Sequence, residues 1–247
     1  MTAVRRGGSS QDLRDFSGPG LERLRLAAGH SRYLLNEGYP LDSAVTFVGN
    51  HFLLSLRQRL ALKRSLSTDQ QAEQRRQRCL GLDQLRGETA QIDGFNTIIT
   101  LETLLCGSPV FAGLDGAIRD LAGLRGTYRL IPETRQAVSL ILDILEANKA
   151  GGAVFFLDAP VSNSGRLLSL IAAVHGQRHS PLELDFQVIK AVDARLGALS
   201  HVITSDAMIL DTCISWHNLT AQVLRQTGGK AVALTGASGG PGIPAKN

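Results

Sequence analysis

At 247 residues, 43% hydrophobic and 19% charged, the chain has enough apolar material to bury a core, and it lacks the single-sign charge block that keeps a segment unfolded. No apolar run approaches the ~18 residues needed to cross a bilayer, and residues 1–14 are polar and glycine-rich without the apolar stretch of a secretory signal, so a cytoplasmic protein outside the membrane is expected. The net charge of +4 is unevenly spread: residues 1–88 carry 14 Lys and Arg against 9 Asp and Glu, whereas residues 89–247 carry 12 against 13.

In chain order, residues 1–20 read as disordered, with Gly7-Gly8-Ser9-Ser10 and Ser17-Gly18-Pro19-Gly20. A helix is predicted over 21–36, ended by Glu37-Gly38-Tyr39-Pro40. Asp42 or Ser43 caps a second helix that ends near 49–50. A third covers 56–65 and carries Arg57, Arg59, Lys63 and Arg64. A fourth, capped by Thr68, carries Arg75, Arg76 and Arg78. Together, residues 21–86 make a small basic helical bundle. Its third and fourth helices present either a solvated face or a nucleic-acid contact.

From residue 89 the texture changes to strand–helix alternation. Strands are predicted at 89–93, 110–114, 153–157, 182–189 and 201–204. Helices are predicted at 96–105, 132–148, from a Ser162–Ser164 cap to about 174, and at 192–199, 207–214 and 219–226. A short segment, 117–122, follows the turn at Asp115-Gly116. This alternation specifies a doubly wound parallel sheet over 87–228 with helices on both faces. The Gly-, Ala- and Pro-rich tail, 229–247, reads as disordered.

Four aspartates close short apolar runs: Asp93, Asp115, Asp158 and Asp206. Working groups of open α/β sheets collect at the carboxyl ends of strands. Carboxylates gathered on one such edge repel unless a cation sits among them, and an oxygen-rich site favours Mg²⁺ or Mn²⁺. Asp93-Gly94-Phe95-Asn96 is the sharpest motif, with Asn96 opening a helix where it could hold a phosphate oxygen or simply cap. Asp193, after Lys190-Ala191-Val192, belongs at a helix start on the same edge, as functional acid or as cap. Asp158 leads into Ser162-Asn163-Ser164-Gly165-Arg166, a helix start that suits an anion or needs no ligand at all. Asp115 is a further candidate acid, with Arg119 and Asp120 as a local pair.

Cys79, Cys106 and Cys213 have no Cys-x-x-Cys or zinc spacing, and read as buried or surface thiols. A basic module beside a near-neutral one with an acidic site suits a polyanionic substrate.

With these residues in place, the second module resembles the PIN-like nuclease superfamily, and in pattern its NYN-type branch. The matching features are Ile92-Asp93-Gly94-Phe95-Asn96, Lys190-Ala191-Val192-Asp193 and Ile203-Thr204-Ser205-Asp206. The whole chain, over about residues 20–220, also resembles the uncharacterised two-module family called domain of unknown function 434. That match runs through Arg32-Tyr33-Leu34-Leu35-Asn36-Glu37-Gly38-Tyr39-Pro40, Val48-Gly49-Asn50 and residues 157–166.

The nuclease resemblance implies a metal-dependent ribonuclease. Asp93, Asp193 and Asp206 would hold one or two Mg²⁺ or Mn²⁺ ions, Asn96 would position a ligand or the phosphate, and Asp158 or Asp115 would complete the site. Ser162, Asn163, Ser164, Arg166 and Lys190 would bind substrate phosphate. Met208 stands where that branch carries a second acid, and Ala191 where it carries glycine. The alternative expectation is therefore a catalytically weak RNA-binding or assembly protein on the same sheet. A phosphatase is disfavoured because Asp93-Gly94-Phe95 lacks the Asp-x-Asp pair.

Overall fold

A computed structural model describes residues 5–123 and 126–235. Five helices come first: α1 (Asp12–Asp15), α2 (Gly18–Asn36), α3 (Leu41–His51), α4 (Leu56–Ser65) and α5 (Asp69–Gln77). Reciprocal capping boxes start two of them, Ser55 with Gln58 on α4 and Thr68 with Gln71 on α5. Each box satisfies two backbone donors that a helix start leaves without partners.

The second module begins with β1 (Cys79–Leu80) and a 3₁₀ turn, then β2 (Thr89–Asp93), α6 (Gly94–Leu105), β3 (Val110–Ala112) and β4 (Ile118–Asp120). It continues with α7 (Pro132–Ala147), β5 (Gly152–Asp158), α8 (Ser164–Gly176), β6 (Glu183–Ile189) and α9 (Val192–Leu196). It closes with β7 (Val202–Ile203), α10 (Ala207–Thr212), β8 (Trp216–His217), α11 (Leu219–Gln226) and β9 (Val232–Ala233).

Six strands form the central sheet in the order β1-β8-β7-β2-β5-β6, with every neighbouring pair parallel. Read from β6 inward, the strands from β2 onward lie third, second, first, fourth, fifth, which is doubly wound topology. The chain leaves β2 on one side to make β5 and β6, then returns to the other side for β7 and β8. The crevice of such a sheet opens at the carboxyl end of β2.

Side chains alternate across β5 as strand geometry requires. Phe155 and Leu157 enter a core built with α6, α7, α8 and α11, while Phe156 enters a second core with Val192, Leu196, Ile209, Leu210 and Trp216. Helices therefore cover both faces, and the apolar strands follow from burial on both sides.

The order and pairing of elements depart from the sequence expectations in three places. The strand expected at 110–114 does not join the parallel sheet. β3 pairs antiparallel with β4 and parallel with β9, because Asp115-Gly116 folds the chain straight back and leaves no room for a crossover. Residues 5–20, expected to be disordered, hold α1 and the start of α2, and Phe16 packs edge-on against Phe111 at 4.9 Å. Part of the expected disordered tail is β9, with Leu234 buried beside it; residues 236–247 and 1–4 lie outside the described residues.

The bundle docks on the small sheet. Leu24, Ala28, Leu62 and Leu66 share one core with Phe111, Leu121 and Leu234. The arginines of α5, read from sequence as a solvated or nucleic-acid-facing set, instead clasp the second module. Arg75 is buried, with its guanidinium on Asp211 at 2.6 and 2.9 Å and on Asp115 at 2.9 Å. Arg78 donates to the carbonyls of Asp211 and Cys213, and Arg76 to that of Leu114.

Candidate active site

Asp93, Asp158, Asp193 and Asp206 all line one recess of about 230 Å³ at the carboxyl edge, together with Asn96. Each reaches it from a different strand end. Asp93 ends β2, Asp158 ends β5, Asp193 opens α9 just after β6, and Asp206 caps α10 after β7. This is the switch point of the sheet, where flanking strands carry the chain to opposite sides.

The local chemistry locks β2 to β7. The Thr204 hydroxyl donates to Asp93 Oδ2 at 2.7 Å and accepts from the Asp206 backbone N–H at 3.0 Å. Asn96 Oδ1 accepts from the backbone N–H and the hydroxyl of Ser205, at 2.9 and 2.8 Å. That fixes the Asn96 amide and leaves its Nδ2 donor for the recess. Asp206 Oδ1 accepts from the Met208 N–H at 2.8 Å, so one carboxylate oxygen caps the helix and the other stays available. The side chains of Asp158 and Asp193 accept no hydrogen bond among the described residues.

Gly94 lets the turn pass close to β5. A Cβ there would lie 2.6 Å from Leu157 Cδ2 and 3.0 Å from the Phe156 carbonyl oxygen, so any side chain would have to displace Leu157 and press on the β5 backbone. At Ala191 the backbone is left-handed, φ +58, where the fold would favour glycine.

Electrostatics match the geometry. Burial pushes Asp93 up to about 7, the Thr204 hydrogen bond opposes that, and the charges of Asp206 and Asp193 add to it. Burial raises Asp193 as well, with Asp206 and Asp158 contributing, and burial raises Asp158. The acids thus face one another across the recess, and among the described residues none of the four forms an ion pair with a Lys or Arg side chain.

Among the described residues, no three His, Cys, Asp or Glu side chains converge closely enough to hold a metal ion by themselves. The donor set nevertheless fits a hydrated Mg²⁺ or Mn²⁺. It is all oxygen, it carries excess negative charge, and Mg²⁺ usually binds through one or two carboxylates while keeping several waters.

Asp115 does not reach the site. It is bracketed by Arg119, at 2.8 and 2.6 Å, and by Arg75, and against the penalty of burial those bonds hold its carboxyl down at about 2. The expected Arg119–Asp120 pair is not formed. Asp120 instead accepts from the Thr100 hydroxyl at 2.6 Å and the Ala122 N–H at 2.7 Å, and it lines the recess.

The expected phosphate loop is also elsewhere. Ser162 bonds through its backbone to Gly126 and Tyr128, and Asn163, at φ +70, donates from its side chain to the Tyr128 carbonyl. Ser164, Arg166 and Lys190 are likewise absent from the lining of the recess. The motif is a splice between α8 and the segment before α7. Three charged lining residues were not anticipated at the site: Asp120, Arg119 and, from the bundle, Arg64. Only the basic character of α4 hinted at the last.

Residues 23–78 match a family described as Protein of unknown function (DUF434), and residues 82–222 match Domain of unknown function (DUF5616). The "Uncharacterized protein MJ0935" of Methanocaldococcus jannaschii is 34% identical over 179 residues, covering 72% of this chain and 85% of that protein. No solved structure matches the chain.

Proposed function

This chain belongs to the DUF5616 family, coupled to an N-terminal DUF434 module, and we propose that it is a metal-dependent ribonuclease of the PIN-like, NYN-type class. The observation that carries this reading is the delivery of Asp93, Asp158, Asp193 and Asp206 by four strand ends to one recess at the switch point of the sheet. In it, one or two of the Asp93, Asp193 and Asp206 carboxylates would hold a hydrated Mg²⁺ or Mn²⁺, the others reaching the ion through its waters. When bound, the ion supplies an activated water and offsets charge on the leaving oxygen of the phosphodiester. Thr204 keeps the Asp93 carboxylate aimed into the recess. Asn96, fixed by Ser205, turns its Nδ2 donor towards a phosphate oxygen. Asp158 would complete the acidic lining beside them.

The experiment is a pair of measurements. Mn²⁺ at about 100 times its Kd raises the melting temperature of the wild type by roughly 5 °C or more, and Asp93→Asn abolishes the shift. Labelled structured RNA is cleaved with Mn²⁺ by the wild type and left intact by Asp93→Asn.

One observation favours a second reading, a catalytically weak RNA-binding or assembly protein. Met208 is exposed two residues after Asp206 and offers no second carboxylate there. An absent Mn²⁺ shift with retained RNA binding selects that reading.

A further inference from the structure

The recess is not made by the α/β module alone. Its lining includes Arg64, on the last turn of α4 in the bundle. Of the four basic side chains on α4, three are engaged. Arg57 binds Asp12 and the Gly7 carbonyl, Arg59 binds the Leu54 and Thr46 carbonyls, and Lys63 binds Asp42. Arg64 has no hydrogen-bond or ion-pair partner among the described residues, and it is exposed. The other arginine of the lining, Arg119, is committed to Asp115 and to the Ser205 carbonyl.

The position of Arg64 is enforced. The Leu114 N–H donates to the Ser65 carbonyl at 3.0 Å, which pins the end of α4 to the β3–β4 hairpin. Ala61, Leu62 and Ser65 are buried in the same docking. The hairpin in turn carries Arg119 and Asp120 into the recess. The bundle therefore sets one free guanidinium in a recess lined by five aspartates, Asp93, Asp120, Asp158, Asp193 and Asp206.

We propose that Arg64 is the phosphate-holding group of this site, so that a phosphate of an RNA strand lies between the bundle and the acid-bound cation, and the N-terminal module is part of the binding site. The inference rests on the ribonuclease reading for the identity of its ligand. A guanidinium presents paired donors that match a phosphate's oxygens, which a lysine ammonium does not. Arg64 acts on the nearby Asp120 through its charge, which opposes the burial that raises that carboxyl, but it forms no ion pair with it, so its donors stay free for a phosphate.

The test uses the full chain, a 5′-labelled single-stranded oligoribonucleotide and Mn²⁺, comparing wild type, Arg64→Ala and Arg64→Lys. Arg64→Ala weakens RNA binding about 10- to 100-fold and lowers the slope of log affinity against log salt by about 1. Its melting temperature and Mn²⁺ shift match the wild type, because the side chain is exposed and touches no acid directly. Arg64→Lys restores the salt slope but only part of the affinity. The proposal is overturned if Arg64→Ala binds with wild-type affinity and slope, or if the wild type binds no RNA. A missing Mn²⁺ shift in the wild type would instead sink the ribonuclease reading, while a binding defect in Arg64→Ala would still stand.

Discussion

Asp93 and Asp115 look alike in sequence, each closing a short apolar run, and both are buried. Their surroundings are opposite. Asp115 sits between two buried guanidinium groups and is held ionised, with its carboxyl down at about 2. Asp93 sits among other acids with one hydroxyl for support, and it is pushed up to about 7. Burial penalises both carboxylates, so the sign of the neighbouring charge decides the outcome. The first arrangement fastens two modules together. The second stores repulsion that a cation can relieve, as expected of a working site.

The comparison can be broken most forcefully at Asp115. Asp115→Ala leaves Arg75 and Arg119 buried without their shared partner, and unfolding free energy should fall by about 3–5 kcal/mol, read by urea denaturation at neutral pH. A loss below ~1 kcal/mol would mean that the clasp contributes no more than a surface pair.

The pH dependence sharpens the contrast, because the two acids act with opposite sign. The folded-state value of Asp93 is raised, so its favourable contribution is complete below about 3.8 and is lost as pH climbs to about 7. With ~1.4 kcal/mol per unit, that loss is about 4 kcal/mol. The folded-state value of Asp115 is depressed, so its contribution is present above about 3.8 and fades as pH falls to about 2. Melting curves in EDTA should show the first slope in the wild type and a clearly shallower one over that window in Asp93→Asn, where the raised Asp158 and Asp193 still contribute. Identical profiles for the two proteins would refute the charge-repulsion account.

The smallest expected effect is at Ala191. Its left-handed backbone costs an L-residue roughly 1–2 kcal/mol, and Ala191→Gly gives part of that back against the added freedom of the unfolded chain. A stabilisation of about 0.5–1 kcal/mol by thermal melts is expected. Because this turn carries Asp193 towards Asp93, a looser turn should also shrink the pH slope slightly.

Much of the fold was legible. The strand read at 89–93 is observed as Thr89–Asp93, and helices expected from 96, 132 and 192 appear close to those points. Short apolar runs bounded by turn residues, and amphipathic repeats with Pro132 at a helix start, are local signals and survive without tertiary information. Two-residue strands such as β8 and β9 leave too little pattern to detect. The strand expected at 110–114 belongs to the small sheet instead of the main one, because a short apolar run carries no statement of its partner. Between the two readings of Ser162–Ser164 the sequence could not choose for a related reason: Ser and Asn serve a splice to Tyr128 as readily as an anion.

The amino-acid order marked where the strands of Asp93, Asp158, Asp193 and Asp206 end, and parallel strands of a single sheet share their direction, so these acids meet at one edge; Asp115, marked in the same way, does not, because its strand joined the small sheet. Only the folded chain decided which buried aspartate found arginines and which found other acids. It also decided that Arg64 would cross from one module to the other. Those outcomes depend on side chains from positions such as 75, 119 and 64 arriving within a few ångströms. Coulomb energy falls with spatial distance, and separation along the chain does not report that distance.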